Sequence, residues 1–289
     1  MKVALIQQTH FCEKQPNIDN LFSQIEKAAG QGAKLIVLSE LHNSLYFCQT
    51  EDVKKFDLAE DINGSSTQHF ASLAKKFGVV LVISLFEKRA KGIYHNTAIV
   101  LEKDGSVAGI YRKMHIPDDP AFYEKFYFIQ GDLGFEPIST SVGTLGVLIC
   151  WDQWYPEAAR IMALKGADML IYPTAIGWDM NDTDEERCRQ LGAWQAVQRG
   201  HAVANNIPVL TCNRTGFEPK EPNSEEGIQF WGNSFVYGGQ GELLAQAGED
   251  TTILFADIDL QKTEDLRRIW PFFRDRRIDN YQEILKRWK

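Results

Sequence analysis

The chain has 289 residues, of which 44% are hydrophobic and 24% are charged, a composition typical of a globular protein with a sizeable core. Its 31 basic and 39 acidic side chains give a formal net charge of −8, which argues against nucleic acid or an anionic membrane as a partner and tolerates a cationic small molecule. The apolar runs are too short to cross a bilayer and the first residues lack a signal-peptide pattern, so we expect a cytoplasmic protein.

The five cysteines do not form a recognisable framework. They are odd in number and scattered, so neither a disulfide scaffold nor a zinc site is predicted. The six histidines show no metal-ligand spacing either. We therefore expect no metal and no cofactor, and any hydrolysis would have to proceed through side chains.

In chain order, short apolar strands alternate with amphipathic helices. Strands are predicted at residues 3–7, 35–38, 79–85, 147–149, 169–172 and 209–212, and helices at residues 18–29, 67–77, 157–165 and 185–205. Two antiparallel hairpins are also predicted, one joining 97–101 to 107–111 and the other joining 233–237 to 253–257 across Gly238-Gly239-Gln240-Gly241. This interleaving favours an α/β fold in which two mixed sheets pack face to face with helices outside.

Two segments stand apart from this pattern. Residues 216–227, which are rich in Glu, Pro and Gly, are predicted to form an exposed loop. Beyond a domain of residues 1–262, the C-terminal tail of residues 263–289 carries five aromatic side chains, Trp270, Phe272, Phe273, Tyr281 and Trp288. Because aromatics at this density would be a liability in water, we expect the tail to pack on a neighbouring subunit of a dimer-based homo-oligomer.

Three of the apolar strands end at a residue that can take part in acid–base or nucleophilic chemistry: Glu40, Lys113 and Cys150. Each alone could be an ordinary strand-end charge or a small buried hydrophobe. Together they mark the carboxyl edge of a sheet, where open α/β folds build their sites. Cys150 lies at a strand-to-helix hinge, where helix N-terminal amides favour a thiolate and can donate to an oxyanion.

These motifs resemble the nitrilase superfamily of carbon–nitrogen hydrolases over residues 1–259. They are Leu-Ser-Glu at 38–40, Tyr-Arg-Lys-Met-His at 111–115, Tyr-Glu-Lys-Phe-Tyr-Phe at 123–128 and the Cys150 segment. The resemblance implies a four-layer α-β-β-α sandwich and a triad in which Glu40 is the base, Lys113 a fixed cation and Cys150 the nucleophile. It also implies that Glu124 orients substrate or attacking water, although an exposed Glu124–Lys125 pair is the alternative.

Residues 150–157 and 115–120 are most similar to those of N-carbamoylputrescine amidohydrolases. The segment after Cys150 has no arginine to hold a substrate carboxylate. Three acidic residues near the expected site, Asp118, Asp119 and Asp179, instead suit an ammonium, with Asp179 as the first candidate and Asp118 as the second. Trp151 is a candidate substrate wall, although core packing would also explain it, and Asp179 could simply begin a solvated acidic loop.

The sequence therefore predicts hydrolysis of N-carbamoylputrescine to putrescine, CO₂ and NH₃ through a cysteine thioester, in polyamine biosynthesis from agmatine. Two alternatives stay open. One is another carbon–nitrogen hydrolase, such as an ω-amidase or ureidopropionase. The other is a non-catalytic assembly protein on the same scaffold, for which we would expect Glu40, Lys113 or Cys150 to be missing.

Overall fold

The computed structural model describes residues 1–288 of the chain. These residues contain fifteen strands and six α-helices. The strands are β1 (Lys2–Gln7), β2 (Leu35–Leu38), β3 (Val80–Ala90), β4 (Ile93–Leu101), β5 (Val107–Arg112), β6 (Ile138–Thr140), β7 (Gly143–Val147), β8 (Met169–Thr174), β9 (Gly177–Asp179), β10 (Val209–Asn213), β11 (Thr215–Pro219), β12 (Gly227–Trp231), β13 (Phe235–Tyr237), β14 (Leu243–Gln246) and β15 (Thr252–Asp257). The helices are α1 (Lys14–Gly30), α2 (Ser65–Phe77), α3 (Glu124–Tyr127), α4 (Pro156–Leu164), α5 (Asp184–Asn205) and α6 (Leu260–Ile269).

Two six-stranded mixed sheets form the centre of the molecule. The first has the strand order β15-β1-β2-β3-β4-β5, and its strands β1, β2 and β3 are parallel. The second has the order β14-β13-β10-β8-β7-β6, and its strands β7, β8 and β10 are parallel. A small third sheet, β11-β12-β9, lies beside them.

Strand alternation places the sheets between two layers of helices. In β1, Val3 and Leu5 join the core that is shared with the second sheet, whereas Ala4 and Ile6 pack with α1 and α2. Helices α4 and α5 cover the other side of the second sheet. The four-layer α-β-β-α sandwich is therefore confirmed, because each sheet buries both of its apolar faces only in this arrangement.

The second predicted hairpin is wrong in its partner. Strand β13 pairs with β14 across the Gly238–Gly241 turn, and residues 252–257 instead form β15, which pairs with β1 in the other sheet. Strand β14 has no buried apolar run that would predict it, because its side chains are largely exposed. The exposed loop predicted at 216–227 is confirmed for residues 220–226, but it is wrong at both ends, where residues 216–219 belong to β11, with Glu218 buried, and Gly227 begins β12.

The C-terminal segment leaves much apolar surface exposed. Helix α6 spans the boundary proposed at residue 262, and the segment after it contacts the body through Phe273, which lies under Arg160 and Arg267. Leu285 and Trp288 are 85% and 76% exposed. Within residues 1–288, no helix is both long and apolar enough to cross a membrane.

Candidate active site

The three strand-end residues lie where the two sheets end together. Glu40 follows β2 by two residues, Lys113 directly follows β5, and Cys150 lies three residues beyond β7. One main-chain bond joins the two sheets here, because the Glu40 N–H donates to the carbonyl of Thr174, the last residue of β8, at 3.4 Å. Within the first sheet, the Lys113 N–H donates to the carbonyl of Asn96 in β4 at 2.9 Å. The carboxyl ends of β2, β5 and β7 therefore meet at one site.

Lys113 lies between two buried carboxylates. Its Nζ donates to Glu40 Oε1 at 2.8 Å and to Glu124 Oε2 at 2.7 Å, and all three side chains are at most 1% exposed. Asn96 Nδ2 donates to Glu40 Oε1 at 2.7 Å, and the Tyr46 hydroxyl donates to Glu124 Oε1 at 2.8 Å. Glu124 thus belongs to the buried cluster, and the alternative of an exposed Glu124–Lys125 pair is wrong.

The charges of this cluster follow from burial and from one another. Burial alone would lower the pKa of Lys113, but Glu124 and Glu40 outweigh it and raise that pKa well above 10.5. Burial raises the pKa of Glu124 to about 7, with Glu40 adding to the rise and Lys113 opposing it. Lys113 therefore stays a cation at every physiological pH, while Glu124 can exchange a proton near neutrality.

Cys150 is held in a strained backbone conformation. Its φ is +43°, in the left-handed region that non-glycine residues rarely adopt, and it begins a short 3-10 helix, Cys150–Trp154. The buried Asp152 carboxylate accepts from the Ile149 N–H at 2.9 Å and from the His115 N–H at 3.0 Å. It also accepts from the Tyr111 hydroxyl at 2.8 Å. A strained backbone of this kind persists only where surrounding hydrogen bonds hold it in place, and the Asp152 carboxylate supplies such bonds next to Cys150.

The thiol is neutral in the resting protein. Burial and, next in size, the Glu40 charge raise the pKa of Cys150 well above 9, and Lys113 offsets this only in part. The sequence led us to expect amides that favour a thiolate, whereas burial and the Glu40 charge favour the neutral thiol in this state. A nucleophilic thiolate can form here only if a base takes the thiol proton. Glu40 is the candidate base, because its charge is close enough to affect the pKa of the same sulfur.

A cavity of about 360 Å³ opens onto Cys150. Its lining residues are Pro117, Asp119, Phe122, Cys150, Trp151, Trp154, Ala175, Ile176, Gly177, Gln190, Ala193 and Trp231. Of the four candidate catalytic side chains, Cys150 is the one in this lining, whereas Glu40, Lys113 and Glu124 are buried and are not among the lining residues. The wall is mainly apolar and aromatic, and Asp119 is its one formally charged member among the described residues.

Of the three acids named from the sequence, Asp119 lines the cavity, whereas the two preferred candidates do not. Asp118 is exposed and lies 3.8 Å from Lys125 Nζ, and neither it nor Asp179 is among the lining residues. The exposed Asp179 carboxylate accepts from the main chain and side chain of Asn181, which closes a local turn. Trp151 does line the cavity, where its ring lies edge-on to Trp154 at 6.4 Å.

Sequence reasoning missed Asn96 and Tyr46, the two side chains that hold the carboxylates. Asn96 belongs to the run His95-Asn96-Thr97, three fully buried polar residues inside an otherwise apolar strand. A polar run of this kind is a usable signal, because a buried polar group needs a partner. Tyr46 lies in an irregular segment and carried no such signal. Within residues 1–288, no group of three or more His, Cys, Asp or Glu side chains is arranged to hold a metal ion.

Comparison with known proteins gives a consistent result. The family model described as carbon-nitrogen hydrolase matches residues 2–268. The chain is 41% identical to a protein named citrullinase from Francisella tularensis, over 100% of the chain and 99% of that protein. It is 40% identical to one named N-carbamoylputrescine amidase from Oryza sativa, over 99% and 94%. A crystal structure of a carbon-nitrogen hydrolase from Helicobacter pylori G27 is 54% identical, with a TM-score of 0.97 over 100% of this chain and 99% of that one.

Proposed function

The chain belongs to the carbon–nitrogen hydrolase family of the nitrilase superfamily, and on that premise we propose that it hydrolyses N-carbamoylputrescine to putrescine, CO₂ and NH₃. The observation that carries the proposal is the combination of two features: the Cys150 thiol in the wall of an apolar cavity, and the buried Glu40–Lys113–Glu124 cluster. The presence of Glu40, Lys113 and Cys150 in one site disfavours a non-catalytic assembly protein. The wider role would be polyamine biosynthesis from agmatine, in the cytoplasm, where a free thiol stays reduced.

In the proposed mechanism, Glu40 takes the Cys150 proton as the sulfur attacks the carbamoyl carbon. The Lys113 ammonium and the main-chain N–H of Trp151 would stabilise the negative charge that forms on the carbamoyl oxygen. Glu40 then returns the proton to the nitrogen that leaves as ammonia, which gives a thioester. Water, deprotonated by Glu40 and oriented by Glu124, cleaves the thioester and regenerates the thiol. The carbamic acid released decomposes to CO₂ and putrescine.

Asp119 supports a cationic substrate. In N-carbamoylputrescine the carbamoyl group and the ammonium are joined by a four-carbon chain, which suits a thiol at one place in an apolar wall and a carboxylate at another. Asp119 is exposed, so its pairing with the ammonium would be worth only about 1 kcal/mol or less until the substrate covers it.

A second candidate substrate is citrulline, because a relative at 41% identity over the whole chain carries the name citrullinase. Citrulline is the same carbamoylated chain with an added α-carboxylate. The cavity wall holds no arginine or lysine among the described lining residues, which disfavours that carboxylate. Measured kcat/KM values for the two compounds, with neutral N-butylurea as a third, separate the candidates.

The test compares three Asp→Asn variants. Asp119→Asn should lower kcat/KM for N-carbamoylputrescine by about fivefold and leave N-butylurea unchanged, since the neutral urea never used the charge. Asp118→Asn and Asp179→Asn are matched controls, being exposed acids outside the wall. A selective loss in Asp179→Asn would restore the sequence-based candidate. Faster hydrolysis of citrulline than of N-carbamoylputrescine would reverse the substrate assignment.

We also propose that the enzyme is a dimer-based homo-oligomer. The support is the exposed apolar surface of the C-terminal segment, in particular Ile284, Leu285 and Trp288. Deleting residues 270–289 should lower the oligomeric state or yield insoluble protein. Light scattering that gives the 32.9 kDa monomer mass for the full chain would contradict the proposal.

A further inference from the structure

Besides the Lys113 cluster, a buried Arg–Glu ion pair lies next to Glu40, and the mechanism above does not use it. Arg214 directly follows β10 and is 0% exposed, and its partner Glu218 in β11 is 1% exposed. Arg214 Nη1 donates to both Glu218 oxygens, at 2.8 and 2.9 Å. The desolvation of such a pair offsets most of its Coulombic gain, so a large contribution to stability does not explain it. What the pair contacts is therefore the informative observation.

The arginine side of the pair holds the main chain of Glu40. Arg214 Nη2 donates to the Glu40 carbonyl at 2.6 Å and to the Leu41 carbonyl at 3.1 Å. Leu41 has a φ of +49°, a strained conformation that other bonds must maintain. Its own N–H is satisfied by Ser84 Oγ at 3.1 Å. The guanidinium thus fixes the turn from which the Glu40 side chain projects toward Lys113.

The glutamate side of the pair leads to the other carboxylate. Glu218 Oε2 accepts from the main-chain N–H of Tyr46 at 2.5 Å. The hydroxyl of that same tyrosine donates to Glu124 Oε1, and Glu124 Oε2 accepts from Lys113. One ion pair is therefore connected to both carboxylates that flank Lys113, through the Glu40 main chain on one side and through Tyr46 on the other.

We propose that Arg214 and Glu218 are positioning residues that set the placement of Glu40 and Glu124 around Lys113 and Cys150. The proposal rests on the function proposed above. Neither residue is in the cavity wall, so both act through Glu40 and Tyr46 and not on the substrate. Because a misplacement of about 1 Å in a catalytic group can cost about 100-fold in rate, loss of this pair should lower kcat more than it raises KM.

A matched pair of variants separates positioning from stability. Arg214→Lys keeps the charge, but one ammonium cannot replace the forked guanidinium that reaches Glu218 and three main-chain carbonyls, those of Glu40, Leu41 and Ser44, at once.

Arg112→Lys would make the same change in the other buried Arg–Glu pair of the described chain, where Arg112 donates to Glu87 at 2.7 and 2.8 Å. Because Arg112 directly precedes Lys113, that pair is too close to the cluster to serve as the control, and Arg267→Lys is used in its place. Arg267 Nη2 donates to the carbonyl of Ala167 at 3.2 Å, before the start of β8 and away from the strand ends that form the site.

Three measurements are made on each purified full-length variant: the melting temperature, kcat and KM for N-carbamoylputrescine, and the rate at which iodoacetamide alkylates Cys150, located by mass spectrometry. For Arg214→Lys we expect kcat and the alkylation rate to fall about 10- to 100-fold, with KM changed by less than about threefold. For Arg267→Lys we expect a lower melting temperature and near-normal rates. Equal losses of rate in both variants, or wild-type rates in Arg214→Lys, would overturn the proposal.

Tyr46→Phe tests the contact with Glu124 by itself, and Glu218→Gln, which keeps the shape of the side chain and removes its charge, replaces Arg214→Lys if that variant does not fold. Tyr46→Phe removes only the hydroxyl that reaches Glu124, and it should lower kcat about tenfold while the ion pair stays intact. Wild-type kcat and alkylation in Tyr46→Phe would refute the tyrosine branch. The alkylation rate needs no substrate, so it decides the positioning role even if N-carbamoylputrescine is not turned over, an outcome that would count against the proposed function alone.

Discussion

Asp152→Asn is expected to loosen the backbone turn that presents Cys150. Each carboxylate oxygen of Asp152 accepts from one main-chain N–H, Oδ2 from Ile149 at 2.9 Å and Oδ1 from His115 at 3.0 Å. An asparagine has one oxygen and one NH₂ group, so either orientation leaves one of these two N–H donors facing another donor. An unsatisfied buried donor costs about 1–3 kcal/mol, and the strain at Cys150 is no longer held. We expect a loss of about 2–4 kcal/mol in unfolding free energy and a fall in kcat of at least about tenfold.

Urea unfolding gives the first quantity, and ammonia release from N-carbamoylputrescine gives the second. Asp168→Asn is a suitable control, because the Asp168 carboxylate accepts from the Thr144 N–H at 2.7 Å at the other end of β7. It should lose stability and keep its turnover. If Asp152→Asn kept wild-type stability and kcat, or if Asp168→Asn lost as much activity, the argument that Asp152 holds the nucleophile would fail.

Three further outcomes are expected around the same cluster. Cys150→Ala should abolish ammonia release without unfolding the protein, whereas Cys212→Ala should remain active; intact-mass analysis after a denaturant quench should show the thioester adduct on Cys150 alone. Glu40→Gln should lower kcat/KM by several orders of magnitude. Adding Lys113→Met should lower it little further, because the effects of substitutions within one catalytic unit are not additive. Independent losses below about tenfold for each variant would indicate ordinary surface charges. Glu124 holds a proton in the folded state up to about pH 7 that the unfolded chain releases near pH 4.5, so it stabilises the fold at low pH and this stabilisation is lost as the pH rises through 7. Glu124→Gln should flatten that dependence by about 3 kcal/mol between these pH values, which urea unfolding at both would measure.

The outline of the fold was predictable because local patterns carry it. The strand Leu35–Leu38 was placed at its observed bounds and the long helix to within one residue at its start, since continuous apolar runs and helical periodicity depend on neighbouring residues. The pairing of 252–257 was not predictable. Its partner β1 lies at the other end of the chain, and a strand's own residues do not specify which distant edge it will join.

The candidate site divides in the same way. Strand ends in the sequence pointed to Glu40, Lys113 and Cys150, because a polar residue that terminates a buried run must lie at a sheet edge. Three results came only from the tertiary structure: the neutral state of the thiol, the choice of Asp119 over Asp118 and Asp179 as the acid in the cavity wall, and the contacts of Tyr46 with the Glu124 carboxylate and of Arg214 with the Glu40 main chain. Each of these results depends on groups from distant parts of the chain. Burial, nearby charges and shared hydrogen bonds exist only once both sheets have packed.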